Sequence, residues 1–311
     1  MRAVCFAYHN VGLVGLEALV RNGFCVEAVF THEDDPNERC WFGSVAAWAG
    51  ERGIPCYAPP SVNEDPWVET IEKARPEVLF SFYYRNLISR RILDLVRGEA
   101  FNLHGSLLPA YRGRVPVNWV LVNGETKTGV TLHYMIERAD AGDIVAQREV
   151  EIAFTDTALT LYGKICAAAA VLLDEALPLI REGRTPRTPQ DETRATTYGR
   201  RRPEDGRIDW RWPALRIYNL IRAVTEPYPG AFTHFVPPGG GAKKKVTIWW
   251  ALPEGAAVGA APGEIRLVGD GVFVQAGEGS LRLLDCSWGD LRLRDRQLIE
   301  FIKEYEGARL R

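Results

Sequence analysis

Short β-rich apolar runs and helix-spaced apolar runs alternate along the first half of the chain. Residues 3–7, and residues 26–30 apart from Glu27, are compact runs of Val, Ala, Cys and Phe. Between them, residues 11–22 carry Val11, Leu16, Leu19 and Val20 at the spacing of one helix face. Residues 77–83 predict a third strand, preceded by a helix over 67–74, and residues 101–103 predict a fourth. This alternation is the grammar of a parallel sheet with helices on its faces. Residues 127–134 and 143–152 alternate in polarity and predict two more strands. The apolar run 158–181, with small residues at Ala167, Ala168, Ala169 and Ala170, predicts a long helix able to pack closely on the sheet.

After residue 182 the pattern changes to polar, Arg-rich chain with scattered Pro, Gly and Thr, which reads as extended linker. A helix is expected over 213–224, with Pro213 at its start. Short strands follow at 231–236, 245–251, 264–267, 271–275 and 281–286, separated by Gly-containing turns. Such spacing suggests a small antiparallel barrel of the OB type. The expected fold class is therefore α/β: a Rossmann-like domain with a parallel-rich sheet over 1–186, a linker over 187–204, and an OB-like β-barrel domain over 205–311.

Composition narrows the function. A net charge of −2 over 311 residues provides no field that would recommend a nucleic-acid partner. No apolar run approaches the roughly 18 residues of a membrane span, and the first residues lack a signal-peptide pattern, so no membrane association and a cytoplasmic location are expected. The six cysteines contain no Cys-x-x-Cys pair and are expected to be buried thiols. His104, His133, Asp140 and Asp143 lack paired-ligand spacing, so no metal is expected. Gly12 and Gly15 follow the first strand without the G-x-G-x-x-G pattern of a dinucleotide site.

Candidate chemistry concentrates in Phe101-Asn102-Leu103-His104-Gly105-Ser106-Leu107-Leu108-Pro109 and in Ala139-Asp140-Ala141-Gly142-Asp143. Residues two apart in a strand point to the same side, so Asn102 and His104 face one spot. Asp140 can supply a carboxylate that orients the imidazole. An amide donor, an imidazole and a carboxylate suit acyl transfer to an amine, which needs an oxyanion stabilised and a proton moved.

These motifs resemble the folate-dependent formyltransferase family, which includes methionyl-tRNA and glycinamide ribonucleotide formyltransferases. Further segments are similar to one branch: Phe80-Ser81-Phe82-Tyr83-Tyr84-Arg85, Tyr111-Arg112-Gly113-Arg114, Asn118 to Thr126 and Arg138-Ala139-Asp140-Ala141-Gly142. That branch is the formyltransferase domain of the bifunctional polymyxin-resistance enzyme, which acts on UDP-4-amino-4-deoxy-L-arabinose in lipid A modification. The resemblance runs from Phe6 to at least Phe232. It implies 10-formyltetrahydrofolate as co-substrate, Asn102 as oxyanion donor, His104 as proton carrier and Asp140 as its orienting partner. It also implies pterin contacts from Asn86, Leu87, Ile88, Ile136, Glu137, Arg138, Ala139 and Asp140, and a ligand contact from Arg114.

Residues 181–216 hold four more arginines than acids, with Arg200, Arg201 and Arg202 at the centre. Arginine offers the planar, multidentate donors that a diphosphate needs. The expected reaction is formylation of the 4-amino group of a UDP-linked amino sugar, with folate and that sugar nucleotide as partners. Methionyl-tRNA, or another nucleotide-linked amino sugar, is the alternative acceptor. The tRNA-specific relatives carry a basic insertion after the second strand, where this chain has Glu33, Asp34, Asp35, Glu38 and a single Arg39. The bifunctional enzyme also carries a decarboxylating domain for which this chain leaves no room, so a separate decarboxylase protein, or a different amino sugar, is implied. A homodimer is left open.

Overall fold

The computed structural model describes residues 1–34, 40–235, 243–256, 258, 261–305 and 307–311. The acidic loop expected at 33–39 lies outside them from residue 35 onward, as does the Gly-rich turn at 237–241. In chain order the elements are β1 (Arg2–Ala7), α1 (His9–Arg21), β2 (Cys25–Phe30), α2 (Val45–Glu51), β3 (Cys56–Tyr57), α3 (Asp65–Lys73), β4 (Val78–Phe82), α4 (Arg90–Leu93), β5 (Ala100–His104), β6 (Arg112–Gly113), α5 (Pro116–Val122), β7 (Lys127–Tyr134), β8 (Ile144–Glu151) and α6 (Ala158–Arg181). They continue with β9 (Thr197–Tyr198), α7 (Ala214–Val224), β10 (Ala231–Phe235), β11 (Lys244–Glu254), β12 (Ile265–Val268), β13 (Gly271–Gln275), β14 (Ser280–Trp288), β15 (Leu291–Arg294) and α8 (Asp295–Ile302).

The first compact unit comprises residues 1–116, 127–152 and 162–199. Its sheet runs β3-β2-β1-β4-β5-β7-β8. The pairs from β3 to β5 are parallel, and β5–β7 and β7–β8 are antiparallel. The central strands are apolar on both faces: every residue of β4, and all of β1 after Arg2, is buried. Strands that read as continuous apolar runs are what a parallel sheet covered by helices requires. One face holds Val4, Phe6, Ala28, Phe30, Val68, Ile71, Leu79 and Ile92 in a single cluster, and α1 packs on β1, β2 and β4.

The stretch read as linker is extended but not loose. Thr188 exchanges backbone hydrogen bonds with Ile144, and β9 pairs in parallel with β6. The short elements α2, β3 and α5, and α8 near the end, have no counterpart in the sequence reading. Each is eight residues or fewer, too short for a clear period.

The second unit comprises residues 200–311 together with 117–126 and 153–161. An antiparallel sheet runs β10-β11-β14-β13-β12, with β15 also on β14, and α7 packs on β11. Phe235 pairs with Leu310, and Glu264 with Arg309, so the last residues join β10 to the chain just before β12. The two earlier segments are fixed by polar contacts. Asn118 Nδ2 donates to the Ala223 carbonyl at 2.7 Å, the Tyr218 hydroxyl to the Phe154 carbonyl at 2.6 Å, and the buried Arg222 Nη1 to the Ala153 carbonyl at 3.3 Å.

Among the described residues no helix is long and apolar enough to cross a membrane. All six cysteines are thiols rather than disulfides, but only Cys5 and Cys286 are buried, and Cys25 and Cys40 are exposed. The expectation of core thiols therefore holds for part of the set. Cys25 opens an edge of β2 and Cys40 sits in a loop, where apolar neighbours in sequence do not mean burial.

Candidate active site

The end of β5 and the turn after it form a rigid cradle in the first unit. The Thr131 hydroxyl donates to the Ser106 carbonyl at 2.7 Å and accepts from the Leu108 N–H at 3.1 Å. Gln147 Nε2 donates to the Leu108 carbonyl at 2.8 Å, and the Ser106 hydroxyl donates to the Ala110 carbonyl at 2.7 Å. The turn thereby delivers the Tyr111 carbonyl to His104 Nε2 at 2.7 Å. A carbonyl can only accept, so Nε2 carries the proton, and in the neutral ring Nδ1 holds the lone pair. The tautomer is thus set by the Tyr111 backbone, whereas the orienting role was expected of Asp140 alone.

Nδ1 of the buried His104 faces Asp140 Oδ1 at 3.5 Å. The same oxygen lies 3.4 Å from Asn102 Nδ2 and 3.6 Å from His133 Nε2. The other oxygen, Oδ2, accepts the Gly113 N–H at 2.8 Å. Burial pushes the Asp140 carboxyl up, but His104, His133 and the Gly113 N–H outweigh it and hold the group well below the usual carboxylate range. Asp140 sits at φ 53°, in the left-handed region. Gly142 lets the loop turn against β7: a Cβ there would lie 1.9 Å from the Tyr134 carbonyl oxygen.

Asn102, His104 and Asp140, expected together, are brought together. His133, to which the sequence assigns no role, completes the group. It lies directly opposite Asn102 in the β5–β7 pairing, and its Nε2 is 3.0 Å from Asn102 Nδ2. Only the register between two strands 31 positions apart reveals that contact.

The residues expected to hold a pterin lie in two loops of the same unit. Asn86 Nδ2 donates to the Pro60 carbonyl at 3.2 Å, and the Leu87 carbonyl accepts from Asn63 Nδ2 at 2.9 Å. Ile88 and Met135 pack against one core cluster, while Leu87 and Ile136, Glu137, Arg138 and Ala139 are exposed. The Arg138 guanidinium pairs with Glu192 at 3.0 Å, and Arg114 Nη2 donates to the Arg85 carbonyl at 3.2 Å.

Arg200 and Arg201 line a cavity of about 360 Å³ in the second unit, with Trp119, Val122, Asp205, Trp212, Arg216 and Leu220. Arg202 is exposed and is not part of that lining; its N–H donates to Asp205 Oδ2 at 2.6 Å. The Arg201 guanidinium lies 4.7 Å from the centre of the Trp119 ring, and Arg216 lies 4.1 Å from that of Trp212. Burial disfavours the charge of Arg201, so its pKa is lowered. Cationic forks against aromatic faces suit a flat, anionic ligand. Among the described residues, no group of three or more His, Cys, Asp or Glu is placed to hold a metal ion.

Residues 14–177, more than half of the chain, match the formyl transferase family, and residues 201–292 match the formyl transferase C-terminal domain. The chain belongs to the formyl transferase family. Solved structures share the fold of this formyl transferase. The N-formyltransferase from Helicobacter canadensis, crystallised with folinic acid and dTDP-3-aminofucose, superposes with a TM-score of 0.69 at 19% identity, covering 91% of this chain and 98% of that one. WlaRD, a sugar 3N-formyl transferase solved with dTDP and 5-N-formyl-THF, gives 0.65 at 18% identity, covering 91% and 97%. HypX from Aquifex aeolicus, in complex with tetrahydrofolic acid, gives 0.59 at 20% identity, covering 97% of this chain and 48% of that one.

Proposed function

We propose that this formyl transferase moves the formyl group of 10-formyltetrahydrofolate to the amino group of a nucleotide-linked amino sugar, with UDP-4-amino-4-deoxy-L-arabinose as the acceptor. The observation that carries the reading is the meeting of Asn102, His104 and Asp140 at the end of β5. The neutral sugar amine attacks the formyl carbon, and a bond forms between that nitrogen and carbon as the carbonyl becomes an oxyanion. Asn102 turns toward this oxyanion the N–H that otherwise makes only the long 3.4 Å contact to Asp140, an interaction of the kind whose removal costs about 10²–10³ in rate.

His104 accepts the amine proton at Nδ1, the nitrogen left unprotonated by the bond from Nε2–H to Tyr111. The imidazolium is held beside Asp140 and returns the proton to N10 of the folate as the bond from the formyl carbon to N10 breaks. The products are a formamide and tetrahydrofolate. Asn86, Leu87, Ile88 and Ile136 to Asp140 would hold the pterin, with Arg114 as a further ligand contact. Two observations support the acceptor class: fold neighbours crystallised with folates and dTDP or a dTDP-sugar, and the arginine- and tryptophan-lined cavity at Arg200 and Arg201.

The test is formyl transfer from 10-formyltetrahydrofolate to a panel of UDP- and dTDP-linked amino sugars and to methionyl-tRNA. Formylation of the UDP-4-amino sugar without transfer to the tRNA is expected. Efficient formylation of methionyl-tRNA with every sugar nucleotide inert would overturn the reading.

A further inference from the structure

One partly buried polar network beside the candidate active site takes no part in the chemistry above. Arg112 is 2% exposed, the most enclosed Arg, Lys, Asp or Glu among the described residues, and follows directly on Tyr111. Its guanidinium makes four hydrogen bonds. Nε and Nη2 donate to Gln190 Oε1 at 3.1 and 2.7 Å, and Nη1 and Nη2 donate to the Glu192 carboxylate at 3.0 and 2.7 Å.

These bonds settle which way the Gln190 amide points. A guanidinium has donors only, so the amide oxygen must face Arg112 and the NH₂ must face away. That NH₂ donates to the carbonyls of Asp140 and Gly142, at 2.9 and 2.7 Å. Both carbonyls belong to the tight loop in which Asp140 holds a left-handed backbone and Gly142 has no room for a side chain. Gly113, next to Arg112, clamps the Asp140 carboxylate from the other side. Arg112 and Gly113 on β6, with Gln190 in the chain between α6 and β9, therefore fix both the backbone and the side chain of Asp140.

We propose that Gln190, oriented by Arg112, is a positioning residue that sets where the Asp140 carboxylate stands against His104. The proposal rests on the reading of His104 and Asp140 as the proton-handling pair. Asp140 is faced by His104 from β5, by His133 from β7 and by the Gly113 N–H from β6; Gln190 adds no charge to this set. Its effect is geometric, and a displacement of about 1 Å at such a group can cost on the order of 10²-fold in rate.

The decisive variant is Gln190→Glu, which still accepts from Arg112 but turns an oxygen toward the two loop carbonyls. Its kcat should fall about 10- to 100-fold, with KM for the amino sugar within about twofold. The acid limb of its pH–rate profile should move to lower pH, because the displaced Asp140 takes more carboxylate support from the imidazolium than the glutamate, paired with Arg112, supplies. Gln190→Met, which keeps the volume and leaves Arg112 paired with Glu192, should move both in the same direction and serves if the glutamate variant folds poorly. An NMR titration of the His104 ring, assigned with a His104→Gln sample, reads the same displacement without any turnover. Unmoved titrations in both variants would overturn the proposal even if kcat fell, leaving Gln190 a purely structural residue. A wild-type chain that formylates no amino sugar would instead overturn the functional reading, and the ring titration would still decide the coupling.

Discussion

Asn102 and His133 are cross-strand partners whose side chains meet, amide nitrogen to Nε2, at 3.0 Å. His133 Nδ1 donates to the Tyr134 carbonyl at 2.9 Å, so in the neutral ring Nε2 can only accept. The Asn102 amide is thereby held with its nitrogen toward His133 and Asp140, and the orientation of the proposed oxyanion donor is fixed by physical necessity. His133→Leu should free that amide and lower kcat by about tenfold, whereas Asn102→Ala should cost about 10²–10³. Steady-state turnover of the two variants checks the order. A His133 variant as damaged as the Asn102 variant would make the histidine a direct participant in the reaction.

His104→Ala removes the proposed proton carrier and should lower turnover by about 10²–10⁴ while leaving folate affinity within a few-fold. Asp140→Asn keeps the shape but removes the charge 3.5 Å from Nδ1. The imidazolium is then less stabilised, so the acid limb of the profile should move to lower pH. Turnover near wild type in His104→Ala would remove that residue from the mechanism.

Much of the first unit is legible in the chain because its strands are buried on both faces and leave unbroken apolar runs, as at Val78–Phe82. The Asn102 and His104 pair is legible for a similar reason: alternation along one strand is a local property. What escapes is non-local. His133 depends on a register, and Gln190 and Arg112 on a chain crossing 78 positions away. The tautomer of His104 depends on a backbone carbonyl that no side-chain pattern records. The second unit also recruits residues 117–126 and 153–161, which a linear division of the chain at a polar linker cannot anticipate.

The first unit should lose stability on mild acidification before most carboxylates titrate. His9 is buried, stacked on Phe42 with ring centres 3.8 Å apart, and its Nδ1 is 2.5 Å from the Tyr162 hydroxyl. That hydroxyl also accepts the Val11 N–H. Burial, and then Arg85, push His9 down to about 3, and the same causes push His32 down to about 4. The unfolded chain takes up these protons near pH 6.5 and the folded chain does not. Stability is therefore intact above about pH 6.5 and falls toward pH 4, by at most about 1.4 kcal/mol per pH unit for each histidine. The low-lying Asp140 adds a second loss only below about pH 4, as the unfolded carboxyl protonates. Thermal midpoints between pH 7 and 4.5 should show this slope, and His9→Asn, an amide tolerated at the φ of 65°, should flatten it. An unchanged slope would place the acid lability elsewhere.

The cavity at Arg201 offers a direct measure of acceptor class. It presents a few guanidinium groups against Trp119 and Trp212 rather than a broad basic face, on a chain of net charge −2. A nucleoside diphosphate bound there would make a handful of charge-assisted bonds, each of about 1.5–3 kcal/mol. Arg201→Ala should therefore weaken UDP binding by about 10- to 100-fold, with folate binding unchanged, as read by calorimetry on the full chain. The affinity for UDP should fall only shallowly with added salt. A tRNA neutralised at about six phosphates would instead lose affinity with a slope near −5 in logarithmic units. An Arg201 variant that binds UDP as the wild type does would remove this cavity from the nucleotide site. A steep salt dependence of acceptor turnover would return the tRNA as the substrate to test.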